Sequence, residues 1–386
     1  MPDFNFDAPI NRRHTDSMKW RQPEEVLPMW VADTDFLAPP AVIEALKKRV
    51  NHGIFGYHYE SPTLRKTIID WVAARYNWEI EPDWIIFPPD VVRGMNWAAQ
   101  AVAEPGDAVL LQSPVYGPFF EIPHNGGFVL QDAPLARDEN GRYGLDRDAM
   151  AAAATPDTRA FLLCNPQNPT GRVFTRAELE TLADFCIERD ITVLADEIHA
   201  DLLYSESQHI PIASLNREIA QRTITFIAPS KTFNVAGLKA SVGIIPNPKL
   251  RERMTKAQRG VIPPVNLLGM VAMEAAYSEG GPWLDALQAY LQANRDYLLD
   301  YIASGALPGV RMARPDGTFL AWLDFRETRW ADAPAKHILE EAKVMVNEGA
   351  WFGEAGKGFA RLNFGCPRAT LEEGLARIQT AFSSVS

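Results

Sequence analysis

Cysteine is scarce in this chain, with three in 386 residues: Cys164, Cys186 and Cys366. They are widely separated and form no C-x-x-C pair, which argues against a disulfide-stapled scaffold and against a cysteine-built metal site. Each is expected to act as a small core hydrophobe, and such sparse thiols suit a reducing cytoplasm. Positive charge is also in short supply. Thirty-eight Lys and Arg face 49 Asp and Glu, a formal net charge of −11. That balance disfavours nucleic acid and anionic membrane as partners, and no clear helix-turn-helix pattern is present. No uninterrupted apolar run approaches the length of a membrane span. No basic region followed by an apolar core opens the chain, so no secretory signal is expected. Internal repeats, low-complexity tracts and charge runs are missing as well.

What is present is the composition of a globular protein, 47% hydrophobic and 23% charged, in a chain long enough for two domains. Apolar, β-branched strand patterns alternate with amphipathic helix patterns, which points to an α/β fold with a mostly parallel sheet. Three of the strand patterns end in chemistry. Thr223–Ile227 runs into Ala228–Pro229–Ser230–Lys231–Thr232–Phe233–Asn234. A lone lysine is ordinarily a surface residue. One placed at the end of a buried strand is open to desolvation, which depresses its pKa toward a neutral amine able to attack a carbonyl. Ala160–Cys164 ends in Asn165–Pro166–Gln167–Asn168–Pro169–Thr170–Gly171, where prolines impose extended backbone and glycine permits a turn. Ile191–Ala195 ends in Asp196–Glu197–Ile198–His199. A carboxylate just beyond a buried strand is costly unless it has a partner.

Those three segments, in that order, resemble the fold-type I pyridoxal-phosphate enzymes of the aminotransferase class I/II superfamily. Further matches point to the cystathionine β-lyase-like (MalY/PatB-type) C–S lyases. Asp-Glu-Ile-His at 196–199 is one, since many aminotransferases carry tyrosine in place of His199. The stretch Trp30–Val31–Ala32–Asp33–Thr34–Asp35–Phe36 is another, and Asn5–Phe6–Asp7 with Ser17–Met18–Lys19–Trp20 a third. The resemblance covers nearly the whole chain.

The resemblance implies pyridoxal 5'-phosphate as cofactor and Lys231 as its covalent attachment point and catalytic base. It implies Asp196 at the pyridine nitrogen, Asn168 at the phenolic oxygen with His199 nearby, and Tyr116, in Ser113–Pro114–Val115–Tyr116, stacked on the ring. The phosphate would be held by Ser230, by Lys239 where arginine is usual, and by backbone N–H groups at Val91 and Val92. The strand Ile85–Phe87 leads into that helix start, a natural anion seat. Asp90 departs from the pattern, standing where glycine or serine is expected. It is a good helix cap, but its charge would repel a phosphate. Arg361, in Arg361–Leu362–Asn363–Phe364–Gly365–Cys366, would hold the substrate α-carboxylate through its bidentate fork. Trp30 would line the substrate pocket.

The resemblance further implies a homodimer in which Tyr57, from the loop Gly53–Tyr59, reaches the other subunit's cofactor phosphate, with Tyr59 as its fallback. The expected organisation is an N-terminal arm with part of the small domain over 1–44, a large cofactor domain over 45–282 and a small C-terminal domain over 283–386. The activity implied is β-elimination from L-cystathionine or a related cysteine S-conjugate, giving a thiol, pyruvate and ammonia. Two alternatives stay open. One is an aminotransferase acting on an amino acid and a 2-oxo acid. The other is a regulatory protein on a retained pyridoxal-phosphate fold.

Overall fold

The computed structural model describes residues 4–258, 260 and 263–383. Its centre is a seven-stranded sheet. The order across it is Ile85–Ile86, Val242–Ile244, Thr223–Ile227, Thr192–Asp196, Thr158–Cys164, Ala108–Leu111, Val129–Asp132. A last strand is expected over Ser241–Pro246, antiparallel on the fold that the resemblance implies, and Val242–Ile244 does run antiparallel to both its neighbours, while the remaining pairings are parallel. The middle strands are buried along almost their whole length, with only Arg159 and Thr192 partly exposed, which is why they read as continuous apolar runs rather than as alternating ones.

Helices cover this sheet on both faces. The helix Val91–Val102 packs Val91, Met95, Trp97 and Ala98 against the strands carrying Ile224 and Phe226. Gly94 makes the approach possible, because a Cβ there would lie 2.7 Å from the Phe226 ring. The opposite layer includes Arg176–Glu188, which buries Leu179, Leu182, Phe185 and Cys186. The sequence Thr175–Arg176–Ala177–Glu178 predicts a capping box at its start, and the box forms. The Thr175 hydroxyl accepts from the Glu178 N–H, and the Glu178 carboxylate accepts from the Thr175 N–H. Such a cap contributes about 1 kcal/mol.

After the long helix Gly281–Ala303 the chain builds a second, antiparallel sheet. Its order is Arg311–Met312, Leu320–Asp324, Phe359–Asn363, Asn347–Glu348. The sequence suggests Lys343–Val346 as a strand between the two long ones of that domain. Instead Val344–Met345 pairs in parallel with Leu27–Pro28 from the N-terminal arm, and only Asn347–Glu348 joins the four-stranded sheet. The arm is thereby stitched to the C-terminal part of the chain. Among the described residues, no helix is long and apolar enough to cross a membrane.

Candidate active site

The three sequence motifs meet because their strands are neighbours. Thr158–Cys164, Thr192–Asp196 and Thr223–Ile227 lie side by side and parallel, so their C-terminal ends open on one edge of the sheet. Ligands in open α/β sheets bind at such an edge. A cavity of about 210 Å³ lies there, and Tyr116, Asn168, Asp196, His199, Ser230 and Lys231 line it. Val91, Val92 and Lys239 border it as well, together with Asp90 and Arg93.

Lys231 sits in the short helix Pro229–Thr232 that follows its strand. The next residue anchors that helix: the Thr232 hydroxyl donates to Asp201 at 2.9 Å. Asp201 is buried and also accepts from Tyr76 at 2.6 Å and Trp71 at 3.1 Å. The Lys231 amine donates to the Ala32 carbonyl at 2.7 Å. Burial, with Arg361 nearby, pulls the Lys231 pKa down to about 8, against the opposing pull of Asp33 and Asp196. The neutral amine is therefore a minor form at neutral pH and the major one above about pH 8.

Asp196 is buried, and its carboxylate accepts from the Ile198 N–H at 3.1 Å. It makes no ion pair among the described residues. Burial raises its pKa to about 6, although the Ile198 N–H and Lys231 both favour the charged form. Its neighbour Glu197 turns away and pairs with buried His209 at 2.8 Å. His199 is also buried, and burial, Lys231 and Arg361 hold its pKa well below the usual histidine value. Its Nδ1 has no hydrogen-bond partner.

Arg361 is 3% exposed and faces no carboxylate within ion-pair distance among the described residues. It donates to Asn168 Oδ1 at 2.8 Å, to the Trp30 carbonyl at 2.8 Å and to Asn347 Oδ1 at 2.6 Å, and its Nε is left over. Burial lowers its pKa to about 10. Because Asn168 gives its oxygen to Arg361, its amide nitrogen is the donor left for a ligand. The Tyr116 ring meets Trp351 edge-on at 5.4 Å.

The segment Met29–Phe36 crosses this site as a strap, and its carbonyls are taken in turn by side chains from two regions. Arg361 donates to the Trp30 carbonyl, and Asn363 Nδ2 donates to those of both Val31 and Asp33. Lys231 donates to the Ala32 carbonyl, and Asn234 Nδ2 donates to those of Thr34 and Phe36. Outside the cavity the strap is fixed by charge. Asp35 pairs with fully buried Lys19 at 2.6 Å and with Arg12 at 2.7 Å, and also accepts from Trp20 Nε1 at 2.7 Å. Arg12 pairs with Asp33 at 2.7 Å.

One expected site residue stands differently. Trp30 enters the site through its carbonyl, while its indole N–H donates to the Lys19 carbonyl at 3.3 Å. Tyr57 is fully exposed on its loop and does not border the cavity of its own chain. Asn347, Asn234 and the Ala32 carbonyl were not singled out from the sequence. A backbone carbonyl carries no residue signature, and the two asparagines had no chemistry of their own to mark them.

The donor set fits a flat, cationic, phosphorylated aldehyde. It offers an amine, a carboxylate lacking a cation, an orphaned imidazole nitrogen, an aromatic face and a helix start. It does not fit a metal: no group of three His, Cys, Asp or Glu side chains among the described residues could hold one.

Comparison with known proteins agrees. The aminotransferase class I and II family matches residues 24–378. The cystathionine β-lyase PatB of Bacillus subtilis (strain 168) is 42% identical over 390 residues, spanning 98% of this chain and all of that protein. Protein MalY of Escherichia coli (strain K12) is 33% identical, over 99% of this chain and all of that protein. Cystalysin from Treponema denticola, whose crystal structure contains a pyridoxal 5'-phosphate cofactor, superimposes with a TM-score of 0.95 at 33% identity, over the full length of both chains. The chain belongs to the aminotransferase class I and II family, on the fold of its pyridoxal-phosphate-dependent members.

Proposed function

We propose that this protein is a pyridoxal 5'-phosphate-dependent C–S β-lyase that cleaves L-cystathionine or a related cysteine S-conjugate to a thiol, pyruvate and ammonia. The observation that carries the reading is a cavity lined by a lysine of lowered pKa and a buried carboxylate without a cation, with a buried guanidinium without an anion held directly behind its lining residue Asn168. The names of the relatives, a cystathionine β-lyase among them, support the same chemistry.

Lys231 would attach the cofactor, and Asp196 would hold a proton on its ring nitrogen. Asn168 and His199 would face its phenolic oxygen, and Tyr116 its ring. Ser230, Lys239 and the first N–H groups of the helix at Val91 and Val92 would take its phosphate. When bound, the cofactor supplies an electron sink that stabilises negative charge at the substrate α-carbon. Arg361 binds the substrate carboxylate, and its contacts with Asn168, Asn347 and the Trp30 carbonyl keep the fork aimed. The Lys231 amine, neutral above about pH 8, removes the proton from the substrate α-carbon. Loss of the sulfur substituent from the β-carbon follows from that deprotonation.

The large cofactor domain would span 45–282 and the small domain 283–386, with the arm 1–44 contributing to the latter. The pairing of Leu27–Pro28 with Val344–Met345 favours that division. The enzyme would work as a homodimer, with Tyr57 entering the partner's phosphate site. Three buried, unpaired cysteines suit a cytoplasmic setting.

The test is one incubation of cofactor-loaded protein with L-cystathionine and no 2-oxo acid. Sustained release of pyruvate and homocysteine is the expected result. A single stoichiometric conversion of the cofactor to its amine form, with turnover restored only by a 2-oxo acid, would make the enzyme an aminotransferase instead.

A further inference from the structure

The helix Val91–Val102 begins at the cavity, and its cap is charged. Asp90 Oδ1 accepts from the Arg93 N–H at 2.9 Å, which closes the cap. The other carboxylate oxygen is engaged twice, by the Arg93 guanidinium and, at 3.5 Å, by the Lys239 ammonium. All three side chains line the cavity beside Ser230. Arg93 and Lys239 are more than half exposed, whereas Asp90 is 18% exposed. Exposed ion pairs add little stability, so stapling the fold is a weak reason for a carboxylate here. Asparagine or serine would cap the helix equally well. What sets the carboxylate apart is a negative charge at the helix end where an anion is favoured.

We propose that Asp90 is an internal stand-in for the cofactor phosphate. Before the cofactor arrives, Asp90 holds Arg93 and Lys239 at the seat. On binding, it yields both cations to the phosphate, which makes Arg93 a further phosphate ligand. The inference rests on the cofactor reading above. Its consequence is a fixed negative charge close to the bound phosphate. The protein therefore holds pyridoxal 5'-phosphate less tightly than an uncharged cap would allow, and the cofactor stays exchangeable.

Asp90→Asn tests this directly, since it keeps a capping oxygen and removes only the charge. Dissociation constants for pyridoxal 5'-phosphate and for unphosphorylated pyridoxal are measured on the cofactor-free full-length protein, at low and high salt. Asp90→Asn is expected to bind pyridoxal 5'-phosphate about tenfold more tightly at low salt, as one like charge removed at short range implies. The gain shrinks at high salt, where exposed charges are screened, and pyridoxal binding does not change. Asp90→Ser, a second uncharged cap, moves the same way. Arg93→Gln weakens binding of the phosphorylated form alone. The proposal is overturned if the uncharged caps bind pyridoxal 5'-phosphate no better, if both ligands shift together, or if Arg93→Gln has no effect. Failure of the unaltered protein to bind pyridoxal 5'-phosphate at all would instead sink the cofactor reading, and this proposal with it.

Discussion

At the scale of single residues, the site is built from charges that the protein leaves without a counter-charge. Asp196 shows what that costs. Its folded pKa is raised from 3.8 to about 6, so the cofactor-free protein carries a penalty wherever the carboxylate is ionised. The penalty is absent below the unfolded value and is fully present above about pH 6, on the order of 3 kcal/mol. Asp196→Asn should therefore melt higher than the unaltered protein at pH 7.5 when both lack cofactor, and the gap should close as the pH falls toward 4. A melting series that shows no such gap would contradict the unpaired carboxylate. For Lys231 the folded pKa is lowered to about 8. Its reaction with an amine-directed label in the cofactor-free protein should accelerate as the pH rises through that value. Lys231→Ala should lose about a thousandfold or more in lyase turnover, and normal turnover would remove that lysine from the mechanism. Arg361→Ala should raise the KM for an amino-acid substrate by about a hundredfold, the loss of a charge-assisted fork, with a smaller change in kcat. Lys231, Asp196 and Arg361 stand out in the sequence because each lies within or just beyond an apolar strand pattern where its polarity is out of place, whereas the role of Asn168 is what the resemblance implies. Arg93 was not legible, since an arginine in a first helical turn looks like any solvated side chain.

Elements were easiest to read where burial is two-sided. The middle strands announced themselves as apolar runs, and the helix at Thr175 by its capping box. Val344–Met345 is legible as a strand but its partner Leu27–Pro28 is not, because pairing partners far apart in sequence leave no local trace. The stretch Leu27–Phe36 is apolar and turn-rich in sequence, which marks the strap, but nothing in it marks the strap's anchoring. Two acidic residues, Asp33 and Asp35, meet two basic ones, Arg12 and Lys19, through folding alone. Removing one member leaves a buried charge uncompensated, at a cost of about 3–5 kcal/mol. Asp35→Asn should therefore lower the denaturation midpoint. It should also shift the labelling pKa of Lys231, because the Ala32 carbonyl would be less firmly placed. A variant that is destabilised but keeps an unaltered Lys231 titration would show that the cluster only supports folding.

At the scale of the molecule, the loop around Gly53–Tyr59 stands out. Ile54, Phe55, Tyr57 and Tyr59 are all exposed on it, although large apolar side chains rarely cluster so openly on a monomer's surface. A second copy covering them is the expected state. Sedimentation equilibrium should give a dimer, and Tyr57→Ala should weaken cofactor retention without changing Lys231 labelling in the cofactor-free protein. A monomeric, fully active enzyme would refute both points. Fold class and family were legible because three motifs keep their order along the chain. The docking of the arm and the C-terminal sheet beside the Lys231 segment was not, since it depends on contacts more than 300 residues apart in sequence, such as Trp30 with Arg361.

The alternation of carbonyl partners along Met29–Phe36 gives that strap a property loops seldom have. Trp30 and Ala32 face the site's cations, while Val31 and Asp33 face one asparagine of the scaffold. The segment works like the teeth of a zip, with odd and even positions taking different partners. Surface loops usually absorb an inserted residue without harm. Here a single glycine added between Val31 and Ala32 would exchange those partners for the residues that follow, so the length of this stretch is as much a functional constant as any side chain within it.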